Sequence, residues 1–196
     1  MGLLFSAVSV VKERSRKALA AGDVVRIVAA VQAFRAEYGK YPNVQVDGSS
    51  STDVAVGDAG IGLKIPNREL FYALRAMDAG VNTDSMLIPR RVVFFEGNSV
   101  SNPESPRSGF LNQSSTSNAA ERDCYFDPWG RQYCVAMDLS YDGKLKLAYG
   151  DFSGANTPTL EVAAFSLGPD KSLGKGGNLS YSKGGEPPLK TRRGCS

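Results

Sequence analysis

The chain of 196 residues contains no histidine, so it lacks the side chain that enzymes use most often as a general base and that proteins use most often to bind zinc. The motifs GxSxG, GxxxxGKS/T and CxxC are also absent, which removes the nucleophile elbow, the phosphate-binding P-loop and the thiol-redox pair. These absences favour a protein that assembles or binds. An enzyme would have to depend on carboxylates that turn geometry already explains, such as Asp123, Asp127, Asp138 and Asp142.

The charge balance gives no reason to expect a nucleic-acid partner. Lys and Arg number 23 against 20 Asp and Glu, so the formal net charge is only +3. The basic residues at 190–193 lie in a tail flanked by Gly and Pro and are expected to be solvated. With 42% hydrophobic and 22% charged residues the composition is that of a folded protein. The length suits one helix and one domain of about 150 residues.

Residues 18–42 form the most informative stretch. Successive spacings of 3, 4, 3 and 4 place five apolar side chains on one face of a helix: Val24, Ile27, Val31, Phe34 and Tyr38. Gly39 suits the left-handed position after a helix, and Pro42 prevents the helix from resuming. We predict a helix from about residue 3 to 39, about 55 Å long at about 1.5 Å per residue. Its apolar face is expected to be buried.

The start of this helix is unusually apolar. The run from Leu3 to Val11 is followed at once by the mixed charges of 12–17, as in the last turns of a membrane-spanning segment. The run is shorter than the span of about 20 apolar residues that a bilayer requires. A secretory signal would carry its basic residues before the apolar run. We interpret residues 1–17 as the remnant of a longer apolar helix; the alternative is a soluble helix with an apolar first third.

A second helix is predicted at 67–78. Asn67 is a suitable N-cap and Gly80 follows the predicted end. The apolar positions repeat at helical spacing and comprise Leu70, Phe71, Leu74 and Met77.

The remaining segments of the predicted domain, residues 43–196, are assigned from composition. Residues 43–62 are interpreted as a loop, and the β-branched and aromatic run 91–96 as a strand. The Ser- and Asn-rich residues 98–118 are interpreted as a surface excursion. Residues 184–196 are expected to form a flexible tail.

Two turn signals occur in the second half. Asp127, Pro128 and Gly130 occupy the first, second and fourth positions that a type I turn prefers. The pair Asp142-Gly143 favours a hairpin that leads into a strand at 145–149. With a further strand at 159–166, the fold class is α+β: a long N-terminal α-helix packed on a small antiparallel β-sheet, with a second short helix and long loops.

Aromatic side chains near these turns allow two interpretations. Trp129, with Phe126, is either a core residue or an exposed contact between subunits. Tyr41 and Pro42 are expected to pack the segment after the helix against the sheet.

Three cysteines occur: Cys124, Cys134 and Cys195. If the turn at 127–130 is a three-residue loop with Gly130 left-handed, Asp127 faces Arg131 and Cys124 lies opposite Cys134, at a distance that allows a disulfide. With a two-residue loop Cys124 would face Tyr133. A bridge would stabilise by about 3 kcal/mol and would indicate an oxidising compartment. The alternative is two half-buried thiols. Cys195 has no evident partner.

Three segments in this order resemble the major pseudopilin of type II secretion systems and related type IV pilin-like proteins. They are the helix and Tyr-Gly-Lys-Tyr-Pro at 18–42, Asp-Pro-Trp-Gly-Arg-Gln-Tyr at 127–133, and Ser-Leu-Gly-Pro-Asp at 166–170. Residues 43–120 carry little of the likeness. The resemblance implies a subunit whose N-terminal helix is held in the inner membrane and then polymerises into a filament. The family's cleavage site and assembly glutamate precede residue 3 and have no counterpart here.

The resemblance also implies a calcium loop after residue 166. Asp170 matches the first carboxylate, and the second falls near Asn178, where an amide replaces the acid. Lys171 and Lys175 should weaken such a site, because calcium prefers several oxygen ligands with net negative charge. A second candidate is the run from Asp138 to Gly143, although the hairpin explains it and Tyr149 stands where an EF-hand has its glutamate.

The leading hypothesis is therefore a filament subunit of a secretion pseudopilus or pilus. Its partners would be copies of itself, other pilin-like subunits and the inner membrane, with no nucleic acid. The globular domain would lie in the periplasm or in an extracytoplasmic filament. The alternative is an extracytoplasmic binding module that presents residues 98–118 to a substrate or a partner pilin.

Overall fold

A computed structural model describes residues 2–45, 53–112, 119–145 and 160–171, with the side chains of residues 2–7 and 119 left aside. Helix α1 runs over Gly2–Tyr38, as predicted. Gly39 follows with φ +72° and donates its backbone N–H to the carbonyl of Arg35 at 2.8 Å. A glycine tolerates this left-handed conformation without a Cβ clash, so the helix ends where the sequence places its stop. Among the residues described, no helix is both long and apolar enough to cross a bilayer.

Two small antiparallel sheets pack beside α1. Strands β1 (Val54–Val56), β4 (Cys134–Met137) and β5 (Val162–Phe165) form a three-stranded sheet in the order β1-β4-β5. Strands β2 (Gly109–Phe110) and β3 (Tyr125–Phe126) form a two-stranded sheet. In the larger sheet Val54 faces Met137, and Cys134 faces Phe165. The predicted α+β arrangement is thus confirmed.

The core lies between the second half of α1 and the three-stranded sheet. The predicted stripe is buried at Val24, Ile27, Val31 and Phe34, and Tyr38 is partly buried against the same cluster. From the sheet, Val56, Val135 and Met137 join that cluster. Because the apolar residues of α1 recur every three or four positions, they share one helix face. The alternate residues of the strands that point toward α1 cover this face.

Helix α2 is shorter than the sequence predicts. It spans Arg68–Leu74 instead of 67–78, and Ala76 has a left-handed φ of 56°. Met77 donates its N–H to the carbonyl of Tyr72, which closes a wider turn after the helix. Gly80 begins a 3-10 segment, Gly80–Ser85, and does not simply follow a helix end.

Two other segments differ from their predictions. Residues 43–62 were predicted as a loop, but they contain β1 and the 3-10 turn Ala59–Ile61. Residues 91–96 were predicted as a strand, but they form an irregular segment that belongs to neither sheet. Phe94 and Phe95 donate their backbone N–H groups to the carbonyl of Leu74 at the end of α2. These donors satisfy a helix end, so they are not available to a sheet ladder.

Aromatic rings join α2, the irregular segment 91–96 and the two-stranded sheet. The ring centroids of Phe71 and Phe95 are 5.1 Å apart, and those of Phe110 and Tyr125 are 4.4 Å apart. Phe71 also contacts both Phe110 and Tyr125 at 5.1 and 5.3 Å. Such packing of large rings supplies the apolar burial that the short β2 and β3 strands could not supply alone.

Candidate functional site

The first half of α1 carries apolar side chains that the domain does not cover. From Val8 to Leu19 no side chain is buried, and from Ala20 onward one face is. The exposed fractions are 58% for Val8, 50% for Val10, 66% for Val11 and 54% for Leu19. Val8, Val11, Lys12 and Ser15 line an open groove of about 430 Å³. This part of the helix is the candidate assembly surface.

The turn at 127–130 contacts α1 near the beginning of the domain. Nε1 of Trp129 donates a hydrogen bond of 3.4 Å to Oε2 of Glu13, and Trp129 is 7% exposed. Phe126 is 1% exposed and Pro128 is also buried. The core interpretation of the tryptophan is therefore the correct one in the isolated chain. Its indole links the domain to the lower part of the helix.

Asp127 organises this turn. Its Oδ1 accepts from the backbone N–H groups of Trp129 and Arg131, each at 2.9 Å, and its Oδ2 accepts from the Ser166 hydroxyl at 2.6 Å. Gly130 has φ +85°, and Asp127 faces Arg131, as the three-residue loop requires. Burial raises the pKa of Asp127 despite these hydrogen bonds. The carboxylate thereby connects two of the segments that carry the family resemblance.

One helix turn above the candidate assembly surface, Asp23 accepts a hydrogen bond from the buried hydroxyl of Tyr133. The hydroxyl of Tyr133 donates to Oδ2 of Asp23 at 2.9 Å, and Nη1 of Arg26 pairs with Oδ1 at 3.2 Å. Arg26 also stacks over Phe95, with 5.0 Å from Cζ to the ring centroid, and donates to the carbonyl of Glu96. Burial and the negative charge of Asp23 raise the pKa of Tyr133.

The upper end of α1 is attached to the sheet by a polar and aromatic cluster. Arg35 pairs with Oε2 of Glu161 at 2.5 Å, and the hydroxyl of Tyr41 donates to the same oxygen at 3.1 Å. The rings of Tyr41 and Tyr141 stack at 5.7 Å, and Arg35 lies 4.7 Å from the Tyr41 ring centroid. Tyr41 and Pro42 are buried, as predicted. Burial, followed by the charge of Glu161, raises the pKa of Tyr41 to about 12.

The predicted disulfide is wrong. Cys124 and Cys134 are both free and buried. Cys124 packs with Val100, Leu111 and Phe126, whereas Cys134 packs in a separate cluster with Leu63, Phe165 and Leu167. The turn register is the predicted one, but β3 continues to β2 while β4 joins β1 and β5. The two strands separate before they reach the cysteines. Burial raises the pKa of each thiol to about 12.

Asn67 occupies the point where these strands separate. Its Nδ2 donates to the backbone carbonyls of Tyr125 and Tyr133 at 2.8 and 3.0 Å, and its Oδ1 accepts from the N–H of Tyr125 at 3.0 Å. The side chain makes no cap hydrogen bond to α2, so the predicted capping role is wrong. Sequence reasoning missed this role, because an Asn before a helix gives the same local signal in either case.

The predicted calcium residues are only partly described. Asp170 is exposed, and Asn178 lies outside the described residues. In the second candidate, Asp138 accepts from the Ser140 hydroxyl at 2.9 Å and from the N–H of Gly143 at 2.8 Å, so it closes a turn. Within the described part of the chain, no three acidic or cysteine side chains gather as a metal site would require.

The other predicted carboxylate and loop features are mostly structural. Asp123 accepts from the Tyr72 hydroxyl at 3.0 Å, and Asp142 accepts from the N–H of Lys144 at 2.9 Å. Of the predicted excursion, residues 98–112 are described and 113–118 are not. This part is attached to the domain, because Phe110 donates to Asn98 and its carbonyl accepts from Val100. The predicted strand at 145–149 is described only at Leu145, and the flexible tail at 184–196 and Cys195 lie outside the described residues.

No family model matches the sequence, and no curated protein or solved structure matches it either.

Proposed function

We propose that this protein is a structural subunit of a type II secretion pseudopilus or a related type IV pilus-like filament. In this proposal the first half of α1 packs against other subunits, and the globular domain is displayed outside the filament core. The protein acts by assembly and catalyses no reaction. Its partners are copies of itself, other pilin-like subunits and the inner membrane, with the domain in the periplasm or in an extracytoplasmic filament.

The division of α1 into two halves is the observation that carries this proposal. A helix of 37 residues is about 55 Å long, which exceeds what the small sheet covers. Its upper half is buried on one face, whereas Val8, Val10 and Val11 are 50% exposed or more. Exposed valines on consecutive turns cost free energy in water and regain it when another apolar surface covers them. A filament of parallel helices would provide that cover.

The positions of the resemblance segments give further support. The turn at 127–130 contacts the 166–170 segment through the hydrogen bond of Ser166 to Asp127. Near the helix end, Arg35 pairs with Glu161, which immediately precedes the strand β5 that leads into 166–170. These contacts thus join the resemblance segments into one connected region that attaches the helix to the sheet.

Assembly in the native cell tests the proposal. Val11→Asp in the full-length protein places a carboxylate on the projecting helix, where the domain makes no contact with it. We expect loss of filaments in sheared cell fractions, because a buried unpaired charge is costly in a helix interface. The melting temperature of the purified domain should stay unchanged.

Val93→Asp is the matched control. Val93 is 49% exposed in the segment 91–96 of the domain. The substitution therefore introduces the same charge on a surface that the proposal leaves outside the filament core. Filaments should persist in this variant. If the wild-type protein is processed and stable but never appears in filaments, the proposed function is wrong.

A further inference from the structure

A polar cavity lies beside α1, directly above the groove of the candidate assembly surface. Its helix side is formed by Leu19, Asp23 and Arg26, which follow at spacings of four and three residues and share one face. The opposite wall comes from the domain and consists of Glu96, Gly97, Asn98, Ser108 and Tyr125. The volume is about 550 Å³, enough for several side chains of another molecule.

The charges at this cavity favour a cationic occupant. Asp23 has both carboxylate oxygens engaged, one with Arg26 and one with Tyr133. Arg26 in turn points its guanidinium at Asp23 and at the carbonyl of Glu96. Glu96 is exposed, and its carboxylate has no ion pair among the residues that the structure describes. The charged residues that line the cavity are thus two acids and one arginine, and the acid without an ion pair among the described residues is the exposed Glu96.

The groove below the cavity continues on the same face of α1. Val8, Val11, Lys12 and Ser15 line it, and Leu19, 54% exposed, joins it to the cavity. An occupant that lies along this face of α1 would therefore contact the mainly apolar groove with one part and the acidic rim of the cavity with the next part. A helix with an apolar start followed by basic residues would match both parts.

The chain itself carries such a segment. After the apolar residues up to Val11 come four basic residues, Lys12, Arg14, Arg16 and Lys17, against the single acid Glu13. Lys17 is exposed and makes no ion pair within the described residues. It precedes Arg26 by nine residues, which is two and a half turns of helix, so it lies on the side of α1 away from the cavity. Each copy can therefore place its Lys17 against one neighbouring copy while its cavity contacts a second neighbouring copy on the opposite side of α1.

We propose that the Asp23–Glu96 cavity receives Lys17 of a second copy of this chain; this rests on the proposed function. The neighbour is parallel and shifted by about six to nine residues, or about 9 to 14 Å along the helix. That shift brings the neighbour's Val10, which lies two helix turns before Lys17 on the same face, beside Ser15–Leu19 of the receiving copy. Because donor and acceptor surfaces differ, the contact is heterologous and propagates into an open filament.

Disulfide trapping tests the contact directly. Lys17→Cys and Glu96→Cys are prepared as separate proteins of different mass, both with Cys195→Ser to remove the third thiol, and are mixed under a mild oxidant. We expect a disulfide-linked heterodimer. The matched control replaces Lys17→Cys by Lys64→Cys, because Lys64 is also an exposed lysine but lies on the domain. Equal heterodimer yields from the two mixtures would overturn the proposal.

A charge swap gives a second, independent measurement. Glu96→Lys and Lys17→Glu should each weaken assembly about two- to fivefold, the range expected for an ion pair at a solvent-exposed rim. The double variant should recover assembly, because the charges at positions 17 and 96 are then exchanged in every copy and remain opposite. Asp170→Lys changes another exposed carboxylate and should have no effect. If the single variants assemble like the wild type, or if the double variant does not recover assembly, this docking contact is wrong but the filament proposal remains intact. If the wild-type protein never assembles, both proposals are wrong.

Discussion

The side chain of Asn67 forms two hydrogen bonds with the backbone of Tyr125, donating from Nδ2 at 2.8 Å and accepting at Oδ1 at 3.0 Å. A third bond, to the carbonyl of Tyr133, connects the strand that leaves in the other direction. Asn67 is completely buried. Its amide replaces the ladder hydrogen bonds that β3 and β4 lose when they separate.

Replacement of Asn67 should therefore be strongly destabilising. In Asn67→Ala the N–H of Tyr125 and the carbonyl of Tyr133 lose a buried partner, and we expect the free energy of unfolding to fall by about 3 kcal/mol. Asn67→Asp should cost at least as much, since its second oxygen would face two carbonyls. Urea denaturation measures both. Asn102→Ala, which removes only an exposed side chain that accepts from the N–H of Glu104, should cost less than about 0.5 kcal/mol.

Asp127 should make the stability depend on pH. Burial raises its pKa above the ordinary value of 3.8, so the folded protein keeps this proton to a higher pH than the unfolded chain. The contribution of this group to the free energy of unfolding is then largest below pH 3.8, and it falls as the pH rises through the folded pKa.

Asp127→Asn removes this titration while keeping an oxygen for the N–H groups of Trp129 and Arg131. The wild-type protein should thus exceed the variant in stability by more at pH 3 than at pH 7. Urea denaturation of both proteins at the two pH values measures this difference. A difference that grows toward neutral pH would contradict the raised pKa.

Trp129 is the only tryptophan of the chain, so its fluorescence reports the contact with Glu13. Glu13→Ala removes the acceptor of its indole N–H and part of its cover. We expect emission at longer wavelength and stronger quenching by acrylamide, with a loss of stability below about 1 kcal/mol. Arg14→Ala, a change at the next and exposed position, should leave both optical signals as they are. Unaltered quenching in Glu13→Ala would mean that the contact is not maintained in solution.

The two buried cysteines should resist both oxidation and alkylation. Their pKa values are raised to about 12 by burial, so little thiolate exists near pH 8, and the thiolate is the reactive form. Under native conditions Cys124 and Cys134 should be labelled only at the rate of unfolding, and after denaturation without reductant both should react. Mass spectrometry of the labelled peptides separates these sites from Cys195. A disulfide-linked peptide pair containing Cys124 and Cys134 would contradict the free thiols and support the disulfide.

Local sequence signals were sufficient for features whose causes lie within a few residues. The helix over Gly2–Tyr38 needed only its spacing of apolar residues and the left-handed Gly39. The loop from Asp127 to Gly130 needed only the turn preferences of its own residues. The apolar start of α1 was visible as composition, and the structure leaves Val8, Val10 and Val11 exposed.

Only the tertiary structure decided which distant segments share their backbone hydrogen bonds. Residues 91–96 have strand composition, yet Phe94 and Phe95 donate to the carbonyl of Leu74 at the end of α2. Likewise, the turn register places Cys124 opposite Cys134, but the two strands separate there. The amide of Asn67 bonds to both strands, and each strand pairs with a different sheet. The cavity between Asp23 and Glu96 also joins residues far apart in the chain. The physical reason is the same in each case: spacing and backbone preference act between near neighbours, whereas a buried donor or acceptor must take whichever partner the packed chain brings within reach.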